Sequence, residues 1–194
     1  MKPILNKPAK NRLTSFAAAL LPLLMSLPTA ADTSASGPQT APTTPPPACQ
    51  TKEYRQFDFW LGQWQVKDGK GNIVGHSKIT SIVKGCAISE NWTSAGGNHG
   101  VSYNFYDNTV NQWHQTWIDV QGSALYLDGS FDQQKAAMVL SGETINAKGV
   151  KTLQRISWSQ LADASVKQHW QTSTDGGKNW ADAFVGYYFK QENK

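Results

Sequence analysis

From residue 62 onward, apolar and polar side chains alternate along short segments, and Gly, Asn and Asp turns separate these segments. Alternation is the pattern of a half-buried β-strand, and turn-forming residues between such segments indicate hairpins. A helical period is visible only in the short stretch 52–61. The pattern predicts ten strands, at residues 62–67, 72–83, 86–93, 100–106, 112–119, 122–128, 136–141, 151–159, 166–173 and 180–189.

This succession of short strands predicts an all-β fold. Strands joined by tight turns form an antiparallel meander, and a sheet of about ten strands usually curls and closes. All nine prolines precede residue 48, which agrees with continuous strands because proline cannot donate to a sheet ladder. We therefore expect an up-and-down barrel with a short N-terminal helix at 52–61.

The alternation also assigns side chains to the two faces of each strand. The face predicted to point into the barrel is mainly aromatic and includes Trp92, Tyr103 and Trp117. Polar groups share this face, and these are Glu90, Gln115 and Gln168.

Apolar groups occur on both faces of the strands at 136–141, 151–159 and 180–189. The alternation therefore does not decide which face of these three strands points into the barrel. Arg155 points inward only if it, rather than Ile156 and Trp158, belongs to the inward set.

The inward polar residues have two explanations, which are compatible with each other. They can form a structural network in which Glu90 pairs with Arg155, because buried charges need partners. They can also fix the polar end of a ligand in a mostly apolar cavity. The second explanation predicts a ligand-binding set, namely Glu90, Trp92, Tyr103, Gln115, Trp117, Arg155 and Gln168.

The first 31 residues are typical of an export signal. A basic start is followed by an apolar run from Leu13 to Leu27 and by the small residues Thr29, Ala30 and Ala31. We expect cleavage near Ala31 and a periplasmic or secreted product. Residues 32–48 form a Pro/Thr/Ser/Ala tract that predicts a disordered linker, and residues 49–194 then form one domain.

Charge narrows the range of partners. The formal net charge of +4 equals the four cations of the leader, so the mature chain is close to neutral. A neutral chain has no basic field for phosphates, which argues against nucleic-acid binding. The apolar run of the leader is short and broken by Pro22, so no transmembrane segment is predicted in the mature chain.

The two cysteines, Cys49 and Cys86, are expected to form a disulfide in an oxidising compartment. Closing a loop of this length contributes roughly 3–4 kcal/mol. The alternative is a reactive or metal-binding thiol pair, but no histidine flanks either cysteine.

Residues 57–66 read F-D-F-W-L-G-x-W-x-V. A short helix leading into Gly-x-Trp resembles the opening of lipocalin-like, or calycin, barrels. More closely, the run resembles a bacterial family of exported lipocalin-like domains of unknown function. Residues 85–92, 113–119 and 173–180 look similar to the same family.

The resemblance implies a barrel with an internal cavity and a binding role more often than a catalytic one. It also implies that Trp64 fills the closed end, with an arginine from a late strand over it; Arg155 is the only arginine after Arg55. Some related barrels bind haem through a histidine. This sequence lacks their glycine-rich opening, so no cofactor is predicted.

The turn from Ser173 to Trp180 resembles the Asp-box of propeller proteins, although a propeller needs several copies. We expect a structural turn in which Asp175 accepts from backbone amides, Gly177 takes a positive φ and Trp180 packs the turn down.

The sequence carries little sign of catalysis or metal binding. The four histidines are scattered, and no metal-ligand spacing, nucleophile motif or phosphate loop occurs. Glu90 is the best acid or base candidate, because burial would raise its pKa. The prediction is an exported protein that binds a partly apolar small molecule. The alternatives are a carbohydrate-contacting envelope module and a barrel enzyme that uses Glu90 as acid or base.

Overall fold

The computed structural model describes residues 48–191. The predicted signal at 1–31 and all of the predicted linker at 32–48 except Ala48 lie outside the described residues, so both stay predictions. Within residues 48–191, no helix combines the length and the apolar character that crossing a membrane requires.

The ten predicted strands are all present. They are β1 (Gly62–Lys67), β2 (Ile73–Ile82), β3 (Ala87–Ser94), β4 (His99–Asp107), β5 (Gln112–Asp119), β6 (Ala124–Asp132), β7 (Ala137–Ile145), β8 (Lys151–Gln160), β9 (Val166–Ser173) and β10 (Ala181–Lys190).

Strands β6 and β7 each extend four residues beyond their predicted ends, at Asp132 and Ile145. The prediction stopped each strand just before a glycine. In the structure Gly129 and Gly142 continue the strands, because a Cβ at either position would collide with a carbonyl oxygen of the neighbouring strand. These glycines therefore allow close strand approach instead of ending the strand.

The strands form one closed antiparallel ring in chain order. Each strand pairs with the next, and β1 pairs with β10 over the register from Trp64↔Lys190 to Lys67↔Tyr187. Closure leaves no free strand edge among the ten strands. The fold is an all-β, up-and-down, lipocalin-like barrel, as predicted.

The segment before β1 fills one end of the barrel, which we call the closed end. The predicted helix at 52–61 consists of two short 3-10 turns, Lys52–Arg55 and Asp58–Trp60. Phe57, between the two turns, and Trp60, the last residue of the second, stack with ring centroids 4.9 Å apart and are fully buried. The rings of Trp113 and Trp158 pack edge-on against Phe57, so this end is solid aromatic core.

Trp64 lies at the closed end, as the resemblance implies. Its Nε1 donates to the carbonyl of Trp60 at 2.8 Å. The cation over its ring is Lys190 of the last strand, with Nζ 5.6 Å from the ring centroid. Arg155 therefore does not take this position.

The disulfide Cys49–Cys86 is present, with an S–S distance of 2.05 Å. It ties the segment before the first 3-10 turn to the β2–β3 connection. Arg55 strengthens the same junction, because its guanidinium donates to the carbonyl of Gly85 and forms an ion pair with Asp58 at 3.3 Å. The closed end is thus held to the barrel by a covalent bond and by a polar clamp.

Candidate functional site

The opposite half of the barrel is hollow. A cavity of about 450 Å³ lies inside it and reaches the end formed by the loops at 68–72, 95–98, 120–123, 146–150 and 174–180, which we call the open end. Its size is typical of small-molecule sites. The side chains that matter for its chemistry are Glu90, Trp92, Gln115, Trp117, Asp119, Gln154, Ile156, Gln168, Trp170, Phe184 and Tyr188.

Three strands that run from the closed end to the open end build the cavity wall in layers. Because alternate residues of a strand share a face, inward positions two apart form successive layers. Each strand presents an apolar residue, then a polar residue, then a tryptophan. The triplets are Ile88, Glu90 and Trp92 on β3, Trp113, Gln115 and Trp117 on β5, and Val166, Gln168 and Trp170 on β9.

Glu90 is the centre of a buried hydrogen-bond network in the polar layer. Its two carboxylate oxygens accept from the hydroxyls of Ser77 on β2 and Ser102 on β4, both at 3.0 Å. Asn104 continues the network by donating to Ser102 at 3.0 Å, and Gln115 donates to Asn104 at 2.7 Å. The acid is therefore held directly by the two neighbouring strands, β2 and β4, and the network continues from β4 to β5.

Among residues 48–191, no cationic side chain balances the charge of Glu90. Burial raises its pKa from 4.5 to about 7, and the hydrogen bonds from Ser77 and Ser102 offset only part of this rise. Tyr188 of β10 lies within electrostatic reach, and burial together with the Glu90 charge holds the pKa of its phenol well above 10. The polar layer thus contains an acid that titrates near neutral pH beside a phenol that stays protonated.

The far wall of the cavity carries a second set of polar contacts. The Tyr188 hydroxyl donates to the Gln168 amide oxygen. Trp170 donates to Gln154 at 2.8 Å, and Gln154 donates to Thr144 at 2.9 Å. These bonds fix the orientation of the indole of Trp170 and of both glutamine side chains.

Glycines on neighbouring strands seat two of the cavity tryptophans against the wall. The Trp92 ring lies over Gly75 of β2, where an added Cβ would be 2.5 Å from the ring. The Trp117 ring lies over Gly100 of β4 in the same way. Trp92 also meets Phe184 of β10 edge-on at 6.1 Å, although β3 and β10 are not adjacent. These contacts keep the rings close to the wall and narrow the open end.

We expect Gly100→Ala to lower the free energy of unfolding by about 1–3 kcal/mol, because the new methyl group must displace the Trp117 ring. The change should also appear in the near-ultraviolet circular dichroism, which reports the environment of the indoles. Gly96→Ala is the matched control, since its nearest neighbour would be Ser94 Oγ at 3.8 Å. Equal stability of the two variants would show that Gly100 is not needed to seat Trp117.

Five of the seven predicted ligand-binding residues line the cavity. They are Glu90, Trp92, Gln115, Trp117 and Gln168. Their contact with a ligand stays a prediction. Tyr188 and Gln154 also line the cavity but are not predicted, because the strands that carry them have apolar groups on both faces.

The prediction that Tyr103 points into the cavity is wrong, because its side chain points outward and is 52% exposed. On β4 the inward residues are Ser102 and Asn104, whereas a Tyr103 that pointed inward would place both of them on the outer face. The register explains the reversal, since Ser102 pairs with Glu90 and Asn104 pairs with Gln115. Inward polar groups on β3 and β5 need hydrogen-bond partners, and β4 lies between them.

The prediction that Arg155 belongs to the ligand-binding set is also wrong. The inward set on β8 is Gln154, Ile156 and Trp158, so Arg155 lies on the outer face and not at the cavity. Its guanidinium stacks on the Trp180 ring at 3.9 Å and donates to Gln171 at 2.9 Å. The expected pair between Glu90 and Arg155 does not form.

The turn from Ser173 to Trp180 has the structural geometry that its sequence predicts. Asp175 accepts from the backbone of Asn179 at 3.0 Å and from the hydroxyl of Ser173 at 2.8 Å. The hydrogen bonds from Asn179 lead the causes that lower the pKa of Asp175 to about 2. Gly177 has a φ of 87°, and its carbonyl accepts from Trp180 at 3.0 Å. The carboxylate of Asp175 thus stabilises the turn through hydrogen bonds within it.

Within residues 48–191, no group of three or more His, Cys, Asp and Glu side chains is arranged to hold a metal ion. His114 and His169 lie on the outer face, and each contacts an aspartate of the next strand. The partners are Asp128 for His114 and Asp182, at 2.7 Å, for His169.

No protein-family model matches the chain. A comparison with curated proteins also finds no significant match. A closed antiparallel barrel with a hollow half is compatible with the ligand-binding calycin-like fold, and the cavity itself carries the functional argument.

Proposed function

We propose that the protein is an exported small-molecule-binding protein that holds a partly apolar ligand in the barrel cavity. The single observation that carries the proposal is the layered cavity of about 450 Å³, aromatic towards the open end and polar at depth.

The two layers suit different parts of one ligand. The aromatic layer, formed by Trp92, Trp117, Trp170 and Phe184, offers large apolar surfaces for the body of the ligand. The polar layer offers a few converging groups, which is how small-molecule sites fix orientation. The Cys49–Cys86 disulfide supports export, because disulfides persist in oxidising compartments. Membership of the exported lipocalin-like family is part of the same proposal and rests on residues 57–66.

We expect Trp117→Ala to weaken the binding of a neutral probe, 3-ethylindole, about tenfold, which corresponds to about 1.4 kcal/mol of lost contact. Isothermal titration calorimetry on the ligand-free protein measures the change. Tyr103→Ala is the matched control, because this aromatic side chain lies outside the cavity and its removal should leave the affinity unchanged.

Native mass spectrometry of the freshly purified protein provides an independent check, since a tight natural ligand should copurify. A clean apo mass together with no binding of 3-ethylindole would contradict the proposed function. Equal losses in Trp117→Ala and Tyr103→Ala would show that the probe binds elsewhere.

A further inference from the structure

We propose that the cavity selects a cationic ligand, namely a small aromatic or hydrophobic amine whose ammonium group binds at Glu90 and whose body lies among the tryptophans. The inference rests on the proposed function and adds the charge class of the ligand.

The charges on the cavity wall are of one sign. Glu90 lies in the polar layer and Asp119 at the open end, and among the described lining residues there is no Lys, Arg or His. A carboxylate or phosphate entering this cavity would lose its hydration and meet no opposite charge, which is strongly unfavourable. The wall therefore disfavours anionic ligands such as fatty acids and favours cations.

Glu90 has hydrogen-bonding capacity left for such a cation. Each of its oxygens accepts one serine hydroxyl, from Ser77 or Ser102, whereas an ionised carboxylate offers about four acceptor positions. The strands packed around it supply no positive charge. Strand β2 presents Ser77, β4 presents Ser102 and Asn104, β5 presents Gln115, and β10 presents the neutral phenol of Tyr188. An ammonium group would be the missing counter-charge of the buried acid.

The aromatic layer suits the same ligand. A cation that passes Trp92, Trp117 and Trp170 meets π-systems with negative faces, and tryptophan is the best of the aromatic partners for a cation. The hydrophobic body then remains beside these rings while the ammonium group reaches the acid. Aromatic rings, a buried carboxylate and an absence of wall cations thus point to one ligand class.

The test uses three probes that share an indole ring with a two-carbon side chain and differ in the group at its end: an ammonium in tryptamine, a hydrogen in 3-ethylindole and a carboxylate in indole-3-propionate. At about pH 8, where Glu90 is ionised, we expect tryptamine to bind at least about tenfold more tightly than 3-ethylindole. Indole-3-propionate should bind most weakly. Isothermal titration calorimetry on the ligand-free full-length mature protein gives the three affinities.

Glu90→Gln should abolish the preference, bringing the tryptamine and 3-ethylindole affinities to within about threefold of each other. Glu143→Gln is the matched control, because Glu143 lies on the outer face and pairs with Lys151 at 2.7 Å. If Glu90→Gln does not fold, a pH series on the wild type replaces it. Between about pH 8 and pH 5.5 tryptamine stays protonated while Glu90 becomes neutral, so its affinity should fall and that of 3-ethylindole should stay level.

The outcomes separate this inference from the proposed function. If 3-ethylindole binds but tryptamine has no advantage, or if the preference survives in Glu90→Gln, the inference is overturned and the binding function stands. If indole-3-propionate binds as tightly as tryptamine, the charge argument is wrong. If none of the three probes binds, the inference and the proposed function fail together.

Discussion

In the ligand-free wild-type protein, the free energy of unfolding is expected to fall by about 3 kcal/mol as the pH rises from about 4 to about 8. Glu90→Gln is expected to eliminate this fall. Burial raises the pKa of Glu90 from 4.5 to about 7. The protonated acid therefore contributes stability that is complete below the unfolded pKa of 4.5 and is lost as the pH rises through 7. An amide cannot ionise, so the variant should lack this slope.

Urea denaturation across this pH range measures the difference between the variant and the wild type. Exposed aspartates such as Asp175 have lowered pKa values and act in the opposite direction at lower pH, but they are common to both proteins and cancel. Glu143→Gln should follow the wild type, since Glu143 is exposed. A stability difference that does not change with pH would show that Glu90 does not titrate in this window.

Replacing Cys49 and Cys86 by serine should lower the free energy of unfolding by about 4 kcal/mol, because the disulfide closes a loop of 37 residues in the unfolded chain. The effect should concentrate at the closed end, where the bond anchors the segment that carries Phe57 and Trp60. Denaturation monitored by tryptophan fluorescence gives the magnitude.

A reducing agent provides the control for the disulfide variant. It should destabilise the wild type by a similar amount and leave the double serine variant unchanged. Unfolding of the two proteins at the same urea concentration, without a reductant, would mean that the disulfide does not contribute to stability.

Most of the fold was predictable because each strand buries one face, and this produces alternation in the sequence. The errors occurred where a local sequence pattern is compatible with more than one backbone structure. The predicted strands end at residues 128 and 141, whereas Gly129 and Gly142 sit inside the observed strands at points of close approach. The stretch 52–61 has a helical period but is too short to form a stable helix, and it folds as two 3-10 turns.

The candidate site was predictable on the strands where polar residues and tryptophans alternate regularly along the inward face. Glu90, Gln115 and Gln168 share a face with tryptophans, and all three line the cavity. Tyr103 was misplaced because the prediction put apolar groups inside, whereas on β4 the partners that buried Glu90 requires take the inward positions.

The pairing of β1 with β10 has a consequence for how the protein is made. The first and last strands of the ring are hydrogen-bonded neighbours, so the ring cannot be completed until Ala181–Lys190 has left the ribosome. Pairing between ends so distant in sequence is intrinsically slow. The last strand therefore closes the barrel. A nascent chain that lacks it has two strand edges with unpaired backbone groups, and such edges promote aggregation.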